Sequence, residues 1–154
     1  MTQYPDIGLG SAAQYLHDAL VPANARFRKK QTRETLLAVA SPAWAQHERL
    51  WHDQGCNPDL EQFRADLFIQ CPELELLRDF VETAKHTGLN RKSVRLVGLT
   101  GAENPGGVVH ITDPLGTLIT TLECTLTFNY SDGKSYKVTD VIERVVDFWV
   151  KKLS

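Results

Sequence analysis

The β-branched residues of this chain are distributed unevenly, and that asymmetry restricts its fold more than any other feature. Valine, isoleucine and threonine number ten in residues 1–92 and twenty in residues 93–154. Because β-branched residues favour strands, the sequence predicts a mainly helical first part and a mainly stranded second part. Runs of helix followed by runs of strand are typical of the α+β class. We therefore expect N-terminal helices packed on one face of a C-terminal curved antiparallel sheet.

The composition is that of an ordinary globular chain. The 154 residues carry 17 basic and 19 acidic side chains, a net charge of −2, and 42% are hydrophobic. These values exclude a disordered chain and a strongly basic nucleic-acid binder. Since no repeat, low-complexity segment or long linker is visible, we predict a single domain over residues 1–154.

Targeting and cysteine signals favour a cytoplasmic protein. The longest apolar run, Leu36–Ala40, has five residues, whereas a membrane span needs about 20. No basic residue precedes a hydrophobic stretch at the N-terminus, so no secretory signal is expected. The cysteines, Cys56, Cys71 and Cys124, are odd in number and lack CxxC spacing. They predict reduced thiols rather than disulfides or zinc ligands, and no cofactor is expected.

Capping residues and prolines divide the first part into helices. Ser11 predicts the start of a first helix, which Pro22 interrupts. Ser41-Pro42, Asn57-Pro58 and Cys71-Pro72 each predict a further start, because proline is tolerated in the first turn of a helix.

The clearest strand signal is an alternation of apolar and threonine-rich positions over Thr117–Tyr130. Such alternation is typical of a half-buried antiparallel strand. The following Ser131–Gly133 predicts a three-residue hairpin loop that places Phe128 opposite Tyr136.

Residues 139–152 fit two patterns. Their apolar residues recur at spacings of three and four, which is a helical stripe. Five of the last six residues in that stripe are β-branched, which favours a strand. We favour a strand over Ser135–Phe148, with a helix as the alternative. As a strand, it places Asp140 and Arg144 on the apolar face of the sheet.

Asp140 and Arg144 are then the candidate catalytic residues of a small-molecule pocket. An ionisable side chain on an apolar face costs free energy unless it is paired or solvated. A carboxylate lining such a pocket can act as a general base. Trp51, Tyr130 and Tyr136 complete the predicted ligand-binding set. The alternatives are a structural ion pair between the aspartate and the arginine, or, if the segment is a helix, a cap formed by Asp140.

Glu48 and His52 lie four residues apart on one face of a predicted helix. This is a spacing that two metal ligands can use. No third ligand is close in sequence, so no metal site is predicted. An amphipathic helix with Trp44 and Trp51 in the core and solvated polar residues explains the same pattern.

A basic segment places five positive charges in eight residues with no acid among them. Its cations are Arg26, Arg28, Lys29, Lys30 and Arg33. Residues 48–82 run the other way, with nine acids and three bases. The basic segment predicts contact with nucleic acid or an acidic partner, but a solvated helix face is the favoured interpretation.

Two short stretches carry a family resemblance. Phe63-Arg64-Ala65-Asp66-Leu67 runs to Pro72-Glu73-Leu74, and Asp132-Gly133-Lys134 leads into the predicted last strand. Both resemble the NTF2-like superfamily, including its SnoaL-like polyketide-cyclase branch. The resemblance implies an NTF2/cystatin-like cone, with a cavity between sheet and helices and homodimers through the outer sheet face. It carries no catalytic residue over to this chain.

The sequence supports three functional hypotheses, in descending order. The first is a small soluble interaction or accessory protein, homodimeric and without an evident catalytic motif, supported by the threonine-rich face around Glu123. The second is a pocket protein or acid–base enzyme for a small apolar ligand, which requires the C-terminal strand. The third is contact with nucleic acid or an acidic partner through Arg26–Arg33. An enzyme is the less favoured class.

Overall fold

The first part of the chain forms helices, as predicted. The computed structural model describes residues 10–85, 95–106, 110–116, 118–121 and 123–154, with the backbone alone at 110–112 and 118–121. Helix α1 (Ala12–Tyr15), a π-helical turn (Leu16–Leu20) and α2 (Val21–Lys29) follow one another directly; α3 is Arg33–Asp53, α4 Leu60–Gln70 and α5 Pro72–Lys85. Ser11 caps α1, its Oγ accepting from the Gln14 backbone N–H at 3.2 Å.

Proline positions predicted the helix starts only in part. Pro72 opens α5, but Pro42 lies inside α3, whose N-cap is Thr32. A proline inside a helix costs about 3 kcal/mol because it lacks the N–H of the helical hydrogen bond. The burial of Val39 and Ala43 on either side of it offsets that cost.

Within the described residues of the second part, the chain forms two small antiparallel sheets. Strands β1 (Leu96–Thr100), β4 (Thr127–Tyr130) and β5 (Ser135–Lys137) form one sheet in the order β1-β4-β5, and β2 (His110–Thr112) pairs with β3 (Leu118–Thr121). The hairpin register is confirmed, because Phe128 pairs with Tyr136. The single strand predicted over Thr117–Tyr130 is wrong: residues 123–126 are not in a strand and separate β3 from β4.

The strand predicted over Ser135–Phe148 is wrong beyond Lys137: Ser135–Lys137 form β5, and Val138–Lys152 form a helix, α6, which was the alternative prediction. Its apolar stripe is buried at every three or four residues, ending with Trp149, whose Nε1 donates to the Ala43 carbonyl at 2.9 Å. A strand would turn half of these side chains away from the core. Burial of this stripe from Val138 to Trp149 therefore outweighs the β-branched composition, which shifts helix propensity only slightly.

The core lies between the helices and the inner face of the three-stranded sheet. Phe80 of α5 packs on Phe128 with ring centroids 5.2 Å apart, and the Tyr130 hydroxyl donates to the Leu76 carbonyl at 2.8 Å. Helix α6 packs against α3 and α5. The α+β class is thus confirmed, with helices against the sheet. Within the described residues, no helix has both the length and the apolar character needed to cross a membrane.

Candidate interaction site

A groove of about 190 Å³ lies between α2 and α6. Its floor is formed by the buried side chains of Phe27, Ile142 and Val146. Polar side chains rise from both helices at three- and four-residue spacing, which is the spacing that repeats along one side of a helix. The groove is therefore apolar at its base and polar along its edges.

The α2 edge carries Asn24 and Arg28 and continues to Gln31, two residues past the end of the helix. The last of these is fixed by backbone pairing, since the Gln31 N–H donates to the Asn104 carbonyl at 2.6 Å and the Asn104 N–H returns a bond of 2.8 Å. Gly106 makes this close approach possible, because a Cβ at that position would lie 3.0 Å from the Lys29 carbonyl oxygen. The loop that contains these residues thus holds the end of α2 beside the groove.

The α6 edge carries Thr139, Glu143 and Asp147. Its two carboxylates stand across the groove from Arg28. None of the three charged groups belongs to an ion pair within the described part of the chain. The groove is consequently lined by one cation from α2 and two anions from α6.

Exposed valines extend the two edges. Val21 lies one turn before Asn24 on α2 and is 40% exposed; Val150 lies one turn after Val146 on α6 and is 39% exposed. The apolar surface beside the groove therefore continues beyond its floor along both helices.

The basic segment does not act as one charged patch. Arg33 pairs with Glu103 at 2.6 Å, and Arg28 lines the groove. Arg26, Lys29 and Lys30 are exposed and take part in no ion pair among the described residues. The structure thus divides the five predicted contact residues among three environments.

The predicted ligand-binding residues are not brought together. Asp140 and Arg144 are exposed on α6 instead of lining a pocket, and Arg144 pairs with Glu73 at 3.0 Å. Trp51 donates from its Nε1 to the Pro58 carbonyl at 2.7 Å. Within the described part of the chain, Asp140 and Arg144 therefore do not line the pocket argued from a C-terminal strand, because α6 turns both side chains outward.

Tyr130 and Tyr136 do lie together, with ring centroids 5.6 Å apart. Tyr130 is buried, and burial, with the nearby charge of Asp79, raises the pKa of its hydroxyl above the ordinary value. The hydroxyl stays protonated and already donates to the Leu76 carbonyl. This pair thus completes the contact between sheet and α5.

His47 is the centre of a second polar cluster, between α3 and α4. The ring is fully buried and stacks on Trp44 at 3.8 Å between centroids. Its Nδ1 donates to the Trp44 carbonyl, and its Nε2 accepts from Arg64 Nε at 3.0 Å. Burial lowers the pKa of His47 to about 4, so the imidazole is neutral at pH 7. We had expected solvated polar residues on this helix, and His47 departs from that expectation.

The outer atoms of Arg64 are also paired, with Glu48 at 3.3 Å and Glu61 at 3.0 Å. His52, the other residue of the possible metal pair, has its Nδ1 3.5 Å from Cys56 Sγ. Glu48 and His52 therefore have separate partners. Among the described residues, no group of three or more histidine, cysteine, aspartate or glutamate side chains can hold a metal ion.

The outer face of the three-stranded sheet is polar and internally hydrogen-bonded. The Asn129 side chain donates to Thr100 Oγ1 at 3.0 Å and accepts from Ser135 Oγ at 2.7 Å. Glu123 is exposed but lies outside the strands. The side chains of residues 117–122, which make up much of the predicted threonine-rich face, lie outside the description. Dimerisation through this face remains a prediction.

Sequence reasoning missed most of the groove, naming only Arg28 among its polar residues. Glu143 and Asp147 are four residues apart on the exposed side of a helical stripe, a signal visible once residues 139–152 are taken as a helix. No feature of the sequence indicates that this helix lies beside α2.

Comparison of the chain with protein-family models, with curated proteins and with solved structures found no match. The resemblance to the NTF2-like superfamily remains an expectation.

Proposed function

We propose that this protein is an interaction protein that binds a segment of a protein partner in the groove between α2 and α6. The observation that carries the proposal is the set of unpaired opposite charges above an apolar floor. Arg28 stands on one edge, and Glu143 and Asp147 on the other. Charges that form no ion pair among the described residues are available to a second molecule.

The size of the groove favours a side chain over a metabolite. Small-molecule sites enclose about 300–1,000 Å³, whereas this groove offers about 190 Å³. That volume accommodates about one large side chain of a partner segment. Apolar atoms of such a segment would contact Phe27, Ile142 and Val146, and its polar atoms would reach the edges.

The charge pattern defines what the segment must carry. A purely basic segment would meet repulsion from Arg28, and a purely acidic one would meet repulsion from Glu143 and Asp147. A segment with apolar residues and charges of both signs satisfies both edges. Complementary charge of this kind gives specificity and a faster association rate more than it gives affinity.

Fluorescence anisotropy with labelled synthetic peptides tests this proposal. Three peptides of equal length alternate leucine with lysine, with glutamate, or with lysine and glutamate in turn. We expect the mixed-charge peptide to bind at least five-fold more tightly than the others at low salt, with a dissociation constant of about 10–500 µM. Equal binding of all three peptides, or no binding, contradicts the proposal.

A matched pair of variants locates the binding. Asn24→Trp fills the groove, whereas Ala25→Trp adds the same ring to the neighbouring exposed position of α2, outside the groove. We expect at least a ten-fold loss of peptide affinity for Asn24→Trp and less than a two-fold change for Ala25→Trp. Equal losses in the two variants would place the binding elsewhere.

A further inference from the structure

We propose that the partner segment is α6 of a second copy of this chain, so that two copies associate about a two-fold axis through their α2 and α6 helices. This inference rests on the proposed function, because it names the occupant of the same groove. The two copies would each supply one α6 to the other, and the site is complete only in the pair.

The charges on the two edges of the groove complement those of a second copy. In a two-fold interface every contact occurs twice, because residue i meets residue j and residue j meets residue i. Arg28 of one copy can meet Glu143 and Asp147 of the other, and the reverse contact follows by symmetry. The basic and acidic edges belong to one face of one molecule, as such an interface requires.

Exposed apolar side chains beside the groove also support the association of two copies. Val21 and Val150 are 40% and 39% exposed, one on each of the two helices that would meet. Two α2 helices and two α6 helices placed together form a four-helix arrangement, in which apolar side chains of facing helices cover one another. The same symmetry operation that pairs the charges therefore covers the valines.

We expect the interface between the two copies to be weak. The edge charges are exposed and screened by salt, and the exposed apolar surface is small. Interfaces of this kind lie at the weak end of the range. We expect dimerisation with a dissociation constant of about 10–200 µM at low salt, weakening at least five-fold between 50 mM and 500 mM salt because the Debye length falls.

The decisive experiment uses two charge-reversal variants that are tested separately and then mixed. Arg28→Glu places only acids on the groove edges, and Glu143→Arg makes residues 28 and 143 both basic. Each variant alone repels its own copy, so sedimentation velocity at 200 µM should show at least a ten-fold weaker dimer. In the mixed dimer, both contacts between residues 28 and 143 join opposite charges. The acid that Arg28→Glu introduces in one copy still repels Asp147 of the other, so we expect a 1:1 mixture to recover most, but not all, of the association of the unaltered protein.

Both substitutions lie at exposed positions, and circular dichroism melts confirm that each variant is folded before mixing. Lys29→Glu makes the same charge change as Arg28→Glu at the next residue, outside the groove. It should leave dimerisation unchanged within two-fold. This variant separates a contact at residue 28 from a general effect of net charge.

Two results overturn the inference. One is an unaltered protein that stays monomeric at 1 mM and low salt. The other is a dimer that neither variant weakens, or whose loss the mixture does not restore. If the mixed-charge peptide still binds in the groove of a monomeric protein, the proposed function stands and only the identity of the partner is wrong. If the peptide fails as well, both fail.

Discussion

Two polar regions of this molecule use their charges in opposite ways. Between α3 and α4, Arg64 reaches His47, Glu48 and Glu61 and covers the ring of Trp44 at 5.3 Å. Between α2 and α6, Arg28 faces two carboxylates and pairs with neither. The first region is closed by its own chain, and the second is left open.

The difference indicates which region stabilises the fold and which is the candidate binding site. A buried polar group must find its hydrogen bonds within the protein, because an unmade bond there costs about 1–3 kcal/mol. Exposed charges have water and carry no such requirement. This contrast supports our proposal that the charges around the apolar floor of the groove contact a second molecule.

The prediction with the largest expected effect concerns α6. One side of this helix packs in the core, and the other side borders the groove. Trp149→Ala removes a fully buried indole and its bond to Ala43. Large-to-small substitutions of this kind cost about 3–5 kcal/mol. We expect that loss in urea unfolding. A loss under 1 kcal/mol would mean that α6 does not pack as described.

The next test uses pH to probe the closed region. The pKa of His47 is about 4 in the folded state, lowered first by burial and further by Arg64, against about 6.5 when unfolded. The unfolded chain therefore binds more protons between those values. The histidine's contribution is complete above pH 6.5 and falls by about 3 kcal/mol as the pH drops to 4.

Comparison with His47→Gln isolates this effect, because other groups also titrate in the same window. Unfolding free energies of both proteins are measured at pH 7, 6, 5 and 4. We expect the unaltered protein to lose more stability over that range than the variant. Parallel curves for the two proteins would contradict a neutral, buried His47.

A matched pair of arginine substitutions compares the two regions directly. Arg64→Ala removes the bond to His47 and the contact with Trp44, and should cost about 1–2 kcal/mol. Arg28→Ala removes no side-chain hydrogen bond or ion pair with the described residues and should change stability by less than about 0.5 kcal/mol. Urea unfolding at low micromolar concentration keeps association from adding to either value. Equal costs would remove the distinction between closed and open regions.

The smallest effect is expected outside both regions. Lys29→Glu combined with Lys30→Glu reverses two exposed charges of the basic segment, and should alter stability by less than about 0.5 kcal/mol. If the segment contacts nucleic acid, this double variant must weaken binding of a labelled 20-nucleotide RNA at least ten-fold at 50 mM salt. We expect no such change, because Arg33 is paired with Glu103 and Arg28 faces the groove.

Local patterns predicted local structure well. Ser11 capped its helix and Gly133, with φ +83°, closed the hairpin in the expected register, because both depend on neighbouring residues alone. Prediction failed where distant contacts decide. Pro42 lies within a helix because residues of α3 on both sides of it are buried. Residues 139–152 form a helix because their apolar stripe packs into the core.

The sequence by itself determined the α+β class, the helical first part and the pairing of β4 with β5, since capping, spacing and alternation act within short stretches. Only the tertiary structure decided that the α6 residues form a helix and not a strand, because their composition and their periodicity gave opposite predictions. The tertiary structure also decided the groove, which needs two helices more than one hundred residues apart in the chain. Such proximity follows from packing, and packing depends on the whole chain at once.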